Sequence, residues 1–219
     1  MAKVIILGDI HEPYSRKGYR EFCCRTRDKY RCDTVVCIGD EVDSSAISFH
    51  QREPEGLSAL DEWRRAMKAL QKWCKSFPDV KVCWGNHTLR IARVAASVGI
   101  PEQFLKTMPQ LYNLPSWRWK FEWQIDDVTY IHGTGFGGQH PHAVAAQRLG
   151  KSVVLGHCHS RAGIYWTATQ ASRYFGMSVG CGVDDTALAF RYCQDRYARS
   201  MVGCGVVLDG LPTWVPMKL

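Results

Sequence analysis

The chain has 219 residues, of which 46% are hydrophobic and 22% charged, and its formal net charge is +7. This composition is typical of a folded globular protein, and no apolar run is long enough to cross a bilayer, so a disordered chain and an integral membrane protein are both excluded. The moderate basic charge is compatible with an anionic substrate such as a phosphate ester or nucleic acid, although it does not require one.

The beginning of the chain and its cysteines favour a cytoplasmic protein. The segment MAKVIILGDI contains an apolar run too short for a secretory signal peptide and lacks a small-residue cleavage site. The ten cysteines include no C-x-x-C pair, which argues against a cysteine-based zinc site and a thioredoxin-like motif. We therefore expect reduced, buried thiols in a soluble intracellular protein without a membrane partner.

Five short apolar runs predict buried strands, with helical patterns between them. The strands are predicted at residues 3–7, 34–38, 80–84, 128–131 and 152–155. The alternation of strands and helices predicts a largely parallel sheet that is covered on both faces.

The clearest helix is predicted over residues 58–77, where Ser58 and Asp61 form a possible capping box. Two further helices are predicted to end at Gly99 and Gly150, since glycine is favoured just past a helix end. The expected buried face of the first helix comprises Leu60, Trp63, Met67, Leu70 and Cys74.

Residues 117–126 follow a different pattern, because aromatic and polar residues alternate along WRWKFEWQID. This period of two predicts a strand with one dry and one wet face. The tryptophans could stack nucleic-acid bases, but packing of an aromatic face on the core explains the pattern without a ligand. From residue 172 onward the chain becomes rich in glycine and predicts a closing strand with an irregular tail. Because we find no linker or repeat, we predict a single domain over residues 1–219.

Polar residues follow each predicted strand directly. The segments are GDIH at 8–11, GDEVD at 39–43, GNH at 85–87, HG at 132–133 and GHCH at 156–159. The carboxyl ends of parallel strands share one edge of an α/β sheet, so we expect these residues to meet there. The gathered set is Asp9, His11, Asp40, Asn86, His132, His157 and His159, with Asp43 and His87 beside them.

The residue types in this set favour two metal ions. Seven oxygen and nitrogen ligands are too many for one tetrahedral zinc, and the mixture of carboxylate, amide and imidazole suits two divalent ions. In an extended segment, side chains two residues apart point to the same side, as expected for Asp9 with His11 and for His157 with His159. Cys158 would then point away. The glycines before several of these residues would let the backbone turn tightly.

The ordered motifs D-x-H, G-D-x-x-D, G-N-H, H-G and G-H-x-H resemble those of the calcineurin-like metallophosphoesterases. The resemblance extends over residues 8–159, and the stretch GDEVDSSAISFHQRE is similar to small members from phage and bacteria. It implies an α/β fold in which a β-sandwich of mixed, largely parallel sheets is flanked by helices, with the active site at the strand carboxyl ends. A phage-encoded member would act in the host cytoplasm.

The resemblance also implies a ligand set for each of two metal ions. The first set is Asp9, His11, Asp40 and His159, and the second is Asp40, Asn86, His132 and His157. Asp40 would bridge the ions, and a carboxylate is the ligand type here that readily spans two cations. Manganese is the expected metal, with iron, zinc, nickel or magnesium as alternatives, because cellular supply contributes as much as ligand type.

The implied activity is hydrolysis of a phosphate ester by attack of a metal-bound water. His87 would protonate the leaving oxygen, and Asp43 would orient that histidine. Protein phosphatases of this family have a phosphate-gripping arginine where this chain has Ser44. Arg90 or Arg161 could supply the missing charge.

Other histidines are weaker candidates for substrate contact. His140 and His142 follow His132 in a glycine-rich loop, and His50 lies in another polar segment. A solvated loop is the simpler interpretation of each.

The predicted activity leans towards phosphodiesters, with a nucleic acid or a nucleotide as the partner. A phosphomonoesterase or protein phosphatase, a non-catalytic metal-binding or nucleotide-binding protein, and a nucleic-acid-binding module are the alternatives. The sequence does not predict an oligomeric state.

Overall fold

The computed structural model describes residues 1–49, 53–190 and 197–218, and within these ranges the chain forms two mixed β-sheets flanked by helices. The first sheet contains β1 (Lys3–Leu7), β2 (Thr34–Cys37), β3 (Val80–Cys83), β4 (Trp117–Lys120), β10 (Gly203–Leu208) and β11 (Leu211–Pro216). Its strand order is β11-β10-β1-β2-β3-β4. The strands from β1 to β4 are parallel, whereas β10 and β11 run antiparallel to their neighbours.

The second sheet contains β5 (Glu122–Ile125), β6 (Val128–Ile131), β7 (Ser152–Leu155), β8 (Ala162–Ala168) and β9 (Arg173–Val179). Its strand order is β5-β6-β7-β9-β8. The three central strands are parallel, and the two outer strands pair antiparallel with them. The predicted fold class, a mixed α/β architecture with two mixed sheets and flanking helices, is confirmed.

The helices are α1 (Tyr19–Tyr30), α2 (Ala59–Ser76), α3 (Arg90–Ser97), α4 (Met108–Tyr112) and α5 (Pro141–Leu149). Half of the predicted capping box of α2 is present, because the Ser58 hydroxyl accepts a hydrogen bond from the Asp61 backbone N–H at 3.2 Å, whereas the Asp61 carboxylate accepts from the Ser58 hydroxyl instead of its backbone N–H. Within the described part of the chain, no helix is both long and apolar enough to span a membrane.

Strand β1 shows why the sequence has continuous apolar runs. Its residues alternate between two cores: Ile5 and Leu7 pack with α1 and α2 on one face, and Val4 and Ile6 pack between the two sheets. A strand that is buried on both faces needs apolar residues at every position. On the outer face of the second sheet, Ala145 of α5 packs against Val153 and Leu155 of β7.

The buried cysteines agree with the prediction of reduced thiols. Cys37, Cys83 and Cys204 are fully buried, and all nine cysteines in the described ranges are free.

The prediction of one strand over residues 117–126 is wrong. The segment forms β4 in the first sheet and β5 in the second, and the chain crosses between the sheets at Phe121, which is 71% exposed. Trp117 and Trp123 are buried in different cores. The alternating pattern predicts which side chains of each strand face inward. It does not predict that the two strands belong to different sheets.

The predicted irregular tail is also wrong, because the chain ends in the antiparallel pair of β10 and β11. Asp209 and Gly210 join these strands, with φ of 50° and 77°. Two residues with positive φ form the tight turn that matches strand twist, and Asp-Gly between apolar runs is its usual sequence signal.

The expected buried face of α2 needs correction as well. Leu60 is 56% exposed, while Glu62, Ala66, Leu70 and Trp73 are buried. The helix is turned so that the Glu62 carboxylate faces the backbone of the segment after Asp43, where it accepts hydrogen bonds. A pattern of apolar residues cannot predict that a carboxylate is buried against backbone N–H groups.

Candidate metal centre

The structure brings together seven residues that were predicted as metal ligands. We call them the ligand cluster: Asp9, His11, Asp40, Asn86, His132, His157 and His159. The first four follow strands β1, β2 and β3 of the first sheet, and the last three follow β6 and β7 of the second. The cluster therefore lies where the carboxyl ends of the two sheets meet, rather than along the edge of one sheet.

The backbone of the ligand cluster is strained at three positions. His11, Asp40 and His157 have φ of 52°, 48° and 64°, in the left-handed region that non-glycine residues avoid. Each costs on the order of 1–3 kcal/mol, and such conformations concentrate at functional sites. The D-x-H and H-x-H segments are therefore not extended throughout, since the chain turns at His11 and His157, although both side chains of each pair reach the cluster as expected.

Two glycines make room for the carboxylates. A Cβ atom at Gly85 would lie 2.0 Å from Asp40 Oδ1, and one at Gly156 would lie 2.3 Å from Asp9 Oδ1. Neither glycine has a positive φ. The predicted reason, tight turning of the backbone, does not apply to this pair, because what matters is the close approach of an acidic side chain.

One half of the cluster is formed by Asp9, His11 and His159. His159 Nε2 lies 3.1 Å from His11 Nε2 and 3.2 Å from Asp9 Oδ2. The Nδ1 atom of His11 lies 2.6 Å from Asp43 Oδ1. A proton on Nδ1 satisfies that contact and leaves a lone pair on Nε2 facing the other ligand atoms.

The other half is formed by Asn86, His132 and His157. His132 Nε2 lies 3.0 Å from Asn86 Oδ1, and His132 Nδ1 donates to the Ile38 carbonyl at 3.0 Å. The ring of His157 packs against that of His132 at 5.1 Å between centroids. The backbone hydrogen bond thus fixes the His132 tautomer, so that its Nε2 lone pair points towards the amide oxygen.

Asp40 lies between the two halves. Its Oδ1 accepts hydrogen bonds from the backbone N–H groups of His87 and Thr88, at 2.7 and 3.2 Å. Its Oδ2 lies 3.2 Å from His132 Nε2 and 3.8 Å from His11 Nε2. One oxygen is therefore held by the backbone and the other faces both halves of the cluster.

The electrostatics of Asp40 and His132 are coupled. Burial opposes ionisation of Asp40, but the charge and hydrogen bond of His132 outweigh it and hold the pKa of Asp40 well below its usual value. Burial likewise opposes protonation of His132, but the Asp40 carboxylate raises the pKa of His132 to about 9. The buried carboxylate thus attracts positive charge to this position.

These residues fit divalent cations. Ligands that are bound at about 2.1 Å and at right angles lie about 3 Å apart, close to the 3.0–3.2 Å contacts found here. Asp9 Oδ1 is buried and has no hydrogen-bond partner among the described residues. A cation would supply the missing partner of that oxygen.

His87 and Asp43 lie beside the ligand cluster. His87 Nδ1 is 2.9 Å from the Asp43 carbonyl and 3.0 Å from Asp43 Oδ1, and Arg90 donates to His87 Nε2 at 3.1 Å. A ring nitrogen of His87 also lies within 4.8 Å of a ring nitrogen of His11 and a carboxylate oxygen of Asp40. Both its ring nitrogens are hydrogen-bonded to Asp43 and Arg90, neither of which belongs to the ligand cluster.

Burial lowers the pKa of His87, but the hydrogen bond that His87 donates to Asp43 and the charges of Asp40 and Asp43 outweigh burial and raise the pKa overall. Asp43 bonds both His87 and His11, so it orients two histidines rather than the one that was predicted.

Arg90 is placed differently from a phosphate-binding arginine. It is 7% exposed, and its guanidinium donates to the carbonyls of Asp43 and Ser44 at 2.9 and 3.0 Å as well as to His87. The substrate contact predicted for Arg90 would require these bonds to break. Arg161, half-buried, donates to the carbonyls of Gly138 and Ser160.

His140 and His142 are not joined to the ligand cluster by any hydrogen bond or ring contact that the structure describes. His140 is exposed and packs edge-on against His142. His142 is buried in the first turn of α5, so the solvated-loop interpretation is wrong for this residue. Burial and the nearby His140 lower the pKa of His142 to about 4. His50 lies outside the described residues.

The sequence did not point to three residues that support the site. Glu41 is fully buried and accepts hydrogen bonds from the Thr88 hydroxyl at 2.8 Å and from Trp119 Nε1 at 3.1 Å. Burial raises its pKa to about 7. Thr88 in turn donates its backbone N–H to Asp40. The available signal was an acidic residue inside the buried GDEVD segment, which needs a polar partner.

The third supporting residue is Glu62 of α2. Its carboxylate accepts the backbone N–H groups of Ser45 and Ala46 at 2.7 and 2.8 Å. Nothing in the local sequence identifies these partners, because they lie 17 and 16 residues away.

Comparison with known families identifies the chain. The family model of calcineurin-like phosphoesterases matches residues 2–180. The chain belongs to this family. Membership supports metal-dependent hydrolysis of phosphate esters and, together with the histidine and aspartate groups described above, a divalent metal site. No curated protein sequence matches the chain.

Several solved structures align with this calcineurin-like phosphoesterase over most of its length. Yfce, a phosphoesterase from E. coli, is 14% identical with a TM-score of 0.45, over 98% of this chain and 92% of that chain. Vacuolar Protein Sorting 29 from Cryptosporidium parvum is 13% identical with a TM-score of 0.42, over 97% and 94%. Pseudomonas putida nuclease MPE is 11% identical with a TM-score of 0.39, over 98% and 87%.

Proposed function

We propose that the chain hydrolyses phosphodiesters at the ligand cluster, which would hold two divalent cations with Asp40 as their shared ligand. The observation that supports this most directly is the convergence of imidazole lone pairs with carboxylate and amide oxygens at 3.0–3.2 Å on both sides of Asp40 Oδ2. When bound, the cations would supply Lewis acidity, which activates a water molecule and offsets charge on the phosphoryl oxygens. Manganese is the metal we expect.

The protein's own groups have separate tasks in this proposal. Asp43 and the Ile38 carbonyl hold the Nδ1 protons of His11 and His132, so that both rings present Nε2 to the cations. His87 passes a proton to the oxygen of the leaving alcohol as its bond to phosphorus breaks. Because Nε2 accepts from Arg90 in this structure, it must lose that contact and take up a proton from solvent before it can protonate the leaving oxygen.

Two features support diesters over monoesters. The arginine that grips phosphate in protein phosphatases is replaced by Ser44, and Arg90 is already committed to backbone carbonyls. A monoester carries one more charge than a diester and depends more on such cationic side chains. The formal net charge of +7 favours anionic substrates of either kind.

The test is to strip the protein of metal, reload it with manganese and measure kcat/KM for bis(p-nitrophenyl) phosphate and p-nitrophenyl phosphate. We expect hydrolysis that depends on manganese, with the diester preferred. A strong preference for the monoester would overturn the diesterase assignment, while hydrolysis of neither substrate would contradict catalysis at the cluster. His87→Asn is expected to reduce kcat by about 100-fold, within the range of general acid catalysis.

A further inference from the structure

A cavity of about 520 Å³ opens beside Asn86 and His87. Small-molecule sites have volumes of roughly 300–1,000 Å³, so the cavity is large enough for a substantial part of a substrate. Residues 45–48, residues 56–59 and Tyr14 form much of its wall. It is the space next to the group that we propose as the proton donor to the leaving oxygen.

Buried hydrogen bonds hold this wall in shape. Glu62, 2% exposed, binds two consecutive backbone N–H groups at the start of the 45–47 turn. The Tyr14 hydroxyl lies 3.3 Å from Ser45 Oγ, and Arg90 holds the carbonyls of Asp43 and Ser44. Because these hydrogen bonds hold the wall from outside the cavity, the cavity has its shape before a ligand enters.

The chemistry of the lining disfavours a charged ligand. Hydroxyl groups come from Tyr14 and Ser45, and apolar surface comes from Ile47 and Leu57. Asp43 and Glu53 contribute carboxylates. Among the described lining residues the one permanent cation is Arg90, and its guanidinium already donates to two carbonyls and to His87. A phosphate placed here would meet these carboxylates, while Arg90, even after it leaves His87, stays bonded to the carbonyls of Asp43 and Ser44.

We propose that this cavity is the leaving-group subsite and that it takes an uncharged, hydroxyl-bearing group of about nucleoside size. The proposal rests on the proposed hydrolysis and narrows its substrate to small phosphodiesters, as opposed to internal bonds of a nucleic-acid strand. In the reaction, the water oxygen bonds to phosphorus, the bond from phosphorus to the leaving oxygen breaks, and the alcohol departs with a proton into this cavity.

Substrates that differ by one phosphate test the charge preference. The manganese-loaded full chain would be assayed with the dinucleotides TpT, pTpT and TpTp, and the products identified by chromatography, which shows which nucleoside leaves. A terminal phosphate on the leaving nucleoside should lower kcat/KM at the internal phosphodiester by about tenfold or more. The same phosphate on the other nucleoside should have a much smaller effect. Equal or faster cleavage with the charged leaving group would overturn the proposal.

A cavity-filling variant tests the location. Leu57→Trp should raise KM for TpT by about tenfold, the cost of overpacking a site that is already shaped. Leu60→Trp is the matched control, because Leu60 is exposed on the same segment and does not line this cavity. Ala59→Trp serves as a second filling variant at an exposed helix start, where folding tolerates a large side chain. Unchanged KM in both filling variants, with folding verified by thermal melting, would overturn the assignment.

The proposed function and the proposed subsite can be disproved separately. If the wild-type chain does not hydrolyse bis(p-nitrophenyl) phosphate, the proposed function itself is wrong. If that activity is present but neither leaving-group charge nor cavity filling changes the kinetics for dinucleotides, only the subsite is wrong.

Discussion

Among the single residues of the site, Arg90 holds the His87 ring in position. The guanidinium is buried, and its donors connect the carbonyls of Asp43 and Ser44 to His87 Nε2. A planar, multidentate donor suits this task better than a lysine ammonium, which offers a single charged point. Arg90 is thus placed to orient a neighbouring side chain, whereas a phosphate-binding arginine would offer its donors to the substrate.

Replacing Arg90 separates these two roles. Arg90→Ala is expected to lower kcat by about 10–100-fold with little change in KM, the range seen when supporting residues of metal sites are removed. Arg90→Lys should recover part of the loss. Arg64→Ala is the control, because Arg64 is exposed on α2 and lies outside this network. A rise in KM at constant kcat would mean that Arg90 binds substrate instead.

Gly156 tests the close packing of the Asp9 carboxylate. A Cβ atom there would lie 2.3 Å from Asp9 Oδ1 and 2.4 Å from Ile38 Cγ2, whereas a Cβ atom at Gly137 would meet nothing within 4 Å. We expect Gly156→Ala to reduce the free energy of unfolding by about 1–3 kcal/mol, the usual cost of overpacking, and to weaken manganese binding. Gly137→Ala should change neither the free energy of unfolding, measured by urea unfolding, nor manganese binding, measured by calorimetry. Equal behaviour of the two variants would refute this account of Gly156.

The convergence of the cluster residues was predictable because each follows an apolar strand. Asp9, Asp40 and His132 are polar residues in positions that lead out of the core, and that pattern survives in a single sequence. Glu41 and Glu62 were not predictable, because their partners lie far along the chain and their burial depends on tertiary structure.

Secondary-structure elements position the site by meeting at their ends. The loops after β1, β2 and β3 place four cluster residues at the end of one sheet, and those after β6 and β7 place three at the end of the other. The apolar runs and the cap of α2 made most of these elements predictable. The break between β4 and β5 was not, because Trp117 and Trp123 keep the same alternation although they face different cores.

Helix α2 contributes to the site through Glu62, which caps the backbone of residues 45 and 46. Glu62→Gln leaves a single side-chain oxygen for two N–H groups, so we expect a loss of about 1–3 kcal/mol in the free energy of unfolding. Glu122→Gln is the control, because Glu122 is exposed on β5. Urea unfolding measures both variants. If Glu62→Gln is as stable as the control, the cap does not hold this segment.

At the scale of the whole molecule, the ligand cluster lies where the strand ends of the two sheets meet. Asp9, His11, Asp40 and Asn86 follow strands of the first sheet, and the remaining three cluster residues follow strands of the second. Cations that bind this cluster would therefore couple the sheets and stabilise the folded chain by linkage. The sequence predicted the convergence of these residues but not that two sheets share it, because strand order across sheets depends on pairings that local patterns do not encode.

The central claim is that the cluster binds two divalent cations, with Asp40 between them. The most direct measurement is the stoichiometry of manganese binding to the metal-free full chain, by isothermal titration and by elemental analysis after dialysis. We predict two manganese ions per chain, and one or none for Asp40→Asn, since the amide cannot bridge two cations as a carboxylate does. Failure of the wild-type chain to bind manganese, or an Asp40→Asn variant that still binds two ions with the same affinity, would contradict the account.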